Sequence, residues 1–162
     1  RVCSRRAMNC ETNVKCMSYT HKASGRFTVT SWSENLVVDI DGEGTTSGEN
    51  YYPDRGVTRA DVHYTYTGDI EGTSELIYLI AYKSDPAPVL CFERFEGSIG
   101  GHEGSCVFQH IGTQDKGSVS ARVEVVPGMA TGGLTNLRGE AELLIQGHSD
   151  EGYELVLSYE LS

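Results

Sequence analysis

The chain lacks most of the signatures that assign a function at sight. No apolar stretch approaches the roughly 20 residues of a membrane span, and no signal-peptide core is present. There is no C-x-x-C pair, no G-x-S-x-G elbow and no H-E-x-x-H, so thiol-redox, α/β-hydrolase and zinc-protease chemistry find no support. The cysteines number 5, Cys3, Cys10, Cys16, Cys91 and Cys106, an odd count without the regular spacing of a disulfide framework. That pattern points to a reducing, cytoplasmic setting. Basic charge is scarce outside the first 22 residues: beyond them 8 basic side chains face 22 acidic ones, within an overall net charge of −10. A body that acidic repels phosphate backbones and anionic lipid surfaces, which argues against nucleic acid as a partner. A sustained helical period is missing too.

What the chain has is short alternating segments. At 162 residues it is about one domain long. Glycine, 19 residues, stands above the average share of about 7% and falls between apolar runs, as tight turns require. GRFTVTSW, ADVHYTYTG, SELIYLIAYKS, SVSARVEVV, LRGEAELLIQ and YELVLSYEL alternate at period two and are rich in β-branched and aromatic residues. The hairpin-like stretch Val89–Gly112 adds two more strands around a glycine-rich turn. About eight sequential strands without crossover helices predict an all-β fold, an antiparallel meander closed into a barrel so that no edge is exposed. Residues 23–162 form that single domain. Residues 1–22 show neither period and read as an N-terminal extension, a lid across a barrel mouth or sequence foreign to the domain. The polar, glycine-rich segment 39–59 is long for a plain connection and reads as a functional loop or lid.

The candidate chemistry lies in Val89–Gly112, where each strand places polar groups amid apolar ones: Glu93 and Arg94 on the first, Gln109 and His110 on the second. A carboxylate in an apolar lumen can serve as acid or base near neutrality, and a Gln or Tyr there can polarise a substrate carbonyl. Alternation leaves open whether Glu93 with Gln109, or Arg94 with His110, points inward. The expectation adopted is Glu93 and Gln109, with Tyr82, as the catalytic set. Tyr64, Tyr66, Tyr78 and Phe95 would line the lumen, and Trp32, the single tryptophan, its mouth. Cys3, Cys10, Cys16 and His21 are ligand types in a spacing that matches no common zinc site, so no metal and no cofactor are expected.

GRFTVTSW, YTGDIEG, LIYLIAY, FERFEGSIGGHEGSCVFQHIG, VVPGMATGGLTNLRGEAEL and ELVLSYEL together resemble an uncharacterised bacterial family of allene-oxide-cyclase-like barrels. The likeness runs in order from about residue 26 to residue 161; GLTNLRGEAEL and GSCVFQHIG are its most specific pieces. It implies a barrel similar in fold to allene oxide cyclases, dirigent proteins and small natural-product cyclases. Such relatives steer reactive, largely apolar intermediates through cyclisation or coupling. The functional expectation is therefore a cofactor-independent cyclase or isomerase acting on a small hydrophobic, polyketide-like or polyene molecule, a [4+2] cyclisation included. The alternative is a lipocalin-like carrier or sensor of such a ligand. A filled barrel serving only as an oligomerisation module is the third reading. Apolar residues on both faces of LIYLIAY, and the habit of related barrels, favour a homo-oligomer, dimer or trimer.

Overall fold

A computed structural model describes residues 19–162, and every described element is a β-strand. In chain order they are β1 (His21–Asp39), β2 (Gly44–Ser47), β3 (Asn50–Pro53), β4 (Gly56–Gly68), β5 (Ile70–Tyr82), β6 (Ala87–Ile99), β7 (His102–Asp115), β8 (Ser118–Val125), β9 (Thr131–Gly132), β10 (Leu137–Gln146) and β11 (Tyr153–Leu161). The sheet runs β6-β5-β4-β1-β11-β10-β8-β7, and β6 pairs with β7 to close it; β9 adds a short extra rung on β7. Eight antiparallel strands thus form a closed barrel, the architecture expected from the alternation. The first strand begins at His21, two residues before the expected domain boundary and well before the GRFTVTSW run. The segment 39–59, expected as an irregular loop, instead folds into the separate β2–β3 hairpin and the start of β4. The expected extension 1–22, with Cys3, Cys10 and Cys16, falls almost wholly outside the described residues.

Cross-strand partners in a sheet point to the same face, so the register sorts the side chains. Tyr64 and Tyr66 of β4 stand opposite Ser74 and Gly72 of β5, and Leu76 and Tyr78 of β5 opposite Glu93 and Cys91 of β6. All of these inward side chains are buried, and Gly72 is half-buried. One end of the barrel is plugged by Ile70, Ile99, Leu134 and Leu137. Each such side chain, fully removed from water, contributes about 2 kcal/mol. The other end is different. The pairing of β1 with β11 stops at Phe27↔Tyr153, whereas the pairing of β1 with β4 continues to Asp39↔Gly56, across β-bulges between Val29 and Ser31 and between Leu36 and Val38. The upper half of β1 therefore has a neighbour on one side only. Trp32 stands opposite the inward-facing Val62, yet it is 47% exposed, because among the described residues no strand closes the wall beside it. The barrel has a mouth at Trp32.

Candidate functional site

The hairpin β6–β7 turns on Gly100 and Gly101, with φ of 58° and 84°. A two-residue loop with both φ positive suits the right-handed twist of the flanking strands, and glycine reaches it without strain. That turn pairs Ile99 with His102, and every rung below follows: Cys91↔His110, Phe92↔Gln109, Glu93↔Phe108, Arg94↔Val107. Glu93 and His110 consequently share the inward face, while Gln109 and Arg94 share the outward one. Here the expectation needs correction: Gln109 does not face the lumen. A turn of even length couples odd positions on β6 to even positions on β7, and His110 takes the place assigned to Gln109.

Glu93 and His110 form the polar centre of an otherwise apolar core. His110 Nε2 lies 2.8 Å from Glu93 Oε1, and the Tyr66 hydroxyl donates to Glu93 Oε2 at 2.6 Å. Both members of the pair are sealed from solvent, at 0% exposure for Glu93 and 2% for His110. A carboxylate already accepting from Tyr66 accepts from Nε2–H as well, which fixes the imidazole tautomer. His110 Nδ1 then carries a bare lone pair, and among the described residues it has no hydrogen-bond partner. Leaving such a buried acceptor unpaired costs about 1–3 kcal/mol, so this lone pair is the most reactive point of the interior. Among the described residues Ser74 Oγ is the other unpartnered buried side-chain atom.

Around the pair stand aromatic hydroxyls. Tyr64 and Tyr78 hydrogen-bond each other through their hydroxyls. Burial, reinforced in Tyr64 and Tyr66 by the Glu93 charge, pushes the phenols of Tyr64, Tyr66 and Tyr78 well above their ordinary range, so they stay protonated donors. Burial and the same carboxylate raise both buried thiols, Cys91 and Cys106, the latter to about 12, which leaves them inert rather than nucleophilic. Tyr78 meets the His110 ring edge-on at 6.3 Å between centroids and stacks on Trp32 at 5.6 Å. Trp32, Tyr78 and His110 thus form a line of rings from the open mouth to the buried pair.

The remaining expected residues divide. Tyr64, Tyr66 and Tyr78 do line the interior, close to Glu93. Phe95 is inward too, but it packs edge-on against Tyr66 at 5.6 Å and beside Phe108 in the sealed core, where it fills space. Tyr82 belongs to a different group. Its hydroxyl donates to Glu34 Oε2 at 2.7 Å, as does Thr58 Oγ1 at 2.7 Å, while Trp32 Nε1 donates to Glu34 Oε1 at 3.0 Å. Glu34, absent from the expected set, is the carboxylate of the mouth. Its signal was present in SWSEN, where the spacing Trp32–Glu34 places both on one face. No group of three or more His, Cys, Asp or Glu side chains converges as a metal site among the described residues.

Comparison with known proteins bears on the fold and not on the chemistry. No curated protein matches the chain. Among solved structures, a protein of unknown function from Shewanella oneidensis MR-1, itself assigned to the DUF3224 family, superposes with a TM-score of 0.67 at 23% identity, covering 88% of this chain and 97% of that one. Residues 23–157 match the family described as protein of unknown function (DUF3224), and the chain, a closed eight-stranded barrel with a buried glutamate–histidine pair, belongs to that family.

Proposed function

We propose that the barrel is an isomerase or cyclase that takes a small, largely apolar, carbonyl-bearing molecule through the mouth at Trp32 and moves a proton on it. The observation that carries this reading is the unpartnered lone pair of His110 Nδ1, held in place by Glu93. Glu93 fixes the tautomer and stabilises the imidazolium formed when Nδ1 removes a proton, the division of labour of any carboxylate–histidine base. A phenol of the Tyr64–Tyr78 pair, kept protonated by burial, donates to the substrate oxygen as charge develops there. The imidazolium then returns the proton to a different carbon, and the enclosing wall selects the folded conformer that reacts. Resemblance to allene-oxide-cyclase-like barrels supports the same class of chemistry. His110 is the base, and Glu93 is its positioning partner.

The test is conversion of a β,γ-unsaturated cyclic ketone to its conjugated isomer, followed by ultraviolet absorbance. His110→Gln should reduce the rate at least about 100-fold while ligand binding persists, the usual scale of a lost general base. No conversion by the wild type across ketones of graded size would overturn the catalytic reading. The carrier reading draws on the near-complete burial of Glu93 and His110, which suits a structural pair. Equal loss of binding and turnover in His110→Gln would favour it. Self-association belongs to the same proposal. Ile77, Leu79, Leu90, Phe92 and Ile111 form a contiguous outward apolar row on β5, β6 and β7, each about half exposed, with Ile77↔Phe92 and Leu79↔Leu90 as direct neighbours. A second copy would cover it. Phe92→Lys should render the protein monomeric in sedimentation, and an unchanged oligomer would refute that assignment.

A further inference from the structure

The Glu34 cluster at the mouth is not used by the proton-transfer chemistry. Its carboxylate accepts three hydrogen bonds, from Thr58, Tyr82 and Trp32, all neutral donors. Among the described residues no Lys, Arg or His forms an ion pair with it. A half-buried anion held in one orientation without a countercharge is set up to receive a cation. The walls beside it are aromatic: Trp32 and Tyr82 touch it directly, and Tyr52 meets Tyr82 edge-on at 6.3 Å. The surroundings are mainly acidic, with Arg59 engaged by Asp61 and Lys83 turned to the Ser84 carbonyl. The β2–β3 hairpin beside β1 is framed by Asp39, Asp41, Glu43, Glu49 and Asp54, and the nearby Arg55 is already engaged by Asp41 at 2.7 and 2.9 Å. The donors reach Glu34 through the indole N–H and the phenol hydroxyl, and the rings of Trp32, Tyr82 and Tyr52 stand around it. Rings gathered beside a carboxylate suit an organic ammonium group, because ring quadrupole and charge attract the same cation. A hydrated inorganic ion would gain little from such walls.

We propose that the mouth recognises an organic ammonium group, so that the molecule taken up is an amphiphile with a cationic nitrogen at Glu34 and an apolar body passing along Trp32 and Tyr78. The proposal rests on the reading of the barrel as a receptor for an apolar molecule and adds the charge of that molecule. Trp32 is the single tryptophan, so intrinsic fluorescence reports from the site itself. Titration should compare octyltrimethylammonium, 1-octanol and octanoate, which share a chain and differ in the head group. The ammonium should change Trp32 emission saturably and bind about tenfold more tightly than the alcohol, with octanoate weakest. Glu34→Gln should bring ammonium and alcohol to within about twofold of one another, and Tyr82→Phe, which keeps the carboxylate, should retain the preference. Glu160→Gln, an exposed carboxylate on β11, should change nothing. If octanol binds as well as the ammonium, or if Glu34→Gln leaves the preference intact, the cation assignment falls while the receptor reading stands. If none of the three binds, both fall.

Discussion

Each face of the β6–β7 hairpin carries residues that run against the usual partition of polarity. Its inward row holds Glu93 and His110, sealed in the core; its outward row holds Leu90, Phe92 and Ile111, each more than half exposed. The rest of each row follows hydrophobicity, with Phe95, Cys106 and Phe108 inside and Arg94 and Glu96 outside, so these residues are the exceptions. Register decides their place: the two-residue turn at Gly100–Gly101 fixes which alternate set faces the lumen, and a slip of one residue would expose Glu93 and His110 and bury Leu90, Phe92 and Ile111. A fold that tolerates this inversion has placed polar groups inside and apolar groups outside at a cost to stability. Such local conflicts are where binding and catalysis concentrate.

The sharpest way to break the comparison is to change the inward charge. Glu93→Ala leaves His110 and Tyr66 without their shared partner and should destabilise the protein by about 3–5 kcal/mol in urea denaturation. The double replacement Glu93→Leu with His110→Leu should recover most of that loss while abolishing activity, because an apolar pair costs less to bury than a polar group left without its partner. A matched aromatic pair tests the same inversion: Phe95→Ala should cost about 3–5 kcal/mol, whereas Phe92→Ala on the outward face should cost under about 1 kcal/mol. A still smaller outward effect on stability combined with lost self-association would sharpen the contrast.

Alkaline pH gives an intermediate effect with a definite sign. The buried acids Cys91, Cys106, Tyr64, Tyr66 and Tyr78 all have raised folded-state pKa values, chiefly through burial. Above the ordinary thiol and phenol values, near 8.5 and 10, the unfolded chain loses protons that the folded chain retains. Their stabilising contribution is therefore complete below about pH 8 and declines as pH rises toward the folded values. Thermal melts between pH 8 and 11 should show a falling midpoint, and Cys106→Val should make the fall shallower. The smallest effect concerns reactivity. Iodoacetamide at pH 8 should leave Cys91 and Cys106 unmodified in peptide maps of the folded protein and label both in urea. Rapid labelling of Cys106 would show that the inward row is open to solvent.

The barrel itself was legible in the sequence, because period-two alternation and glycine punctuation are local signals. The inward tyrosines of ADVHYTYTG and SELIYLIAY could be read the same way. The pairing of Glu93 with His110 could not be read from alternation within either strand. It required the loop length, which GSIGGHEGS states only once Gly100–Gly101 is taken as a two-residue turn and the flanking glycines as strand residues. Glu34 differs again. The spacing Trp32–Glu34 marked a shared face, but the mouth that gives this face its role exists because β11 stops pairing at Tyr153 while β1 continues, and the unequal reach of two strands distant in sequence leaves no local mark.

The central claim is that Glu93 holds His110 with its proton on Nε2 and a usable lone pair on Nδ1. Nitrogen-15 NMR of the His110 imidazole in the folded protein, without and with a bound apolar ketone, tests it most directly. The account requires a protonated Nε2, a bare Nδ1, and a change at Nδ1 when ligand fills the lumen. A proton resident on Nδ1, or an Nδ1 signal indifferent to every ligand that binds at Trp32, would contradict it.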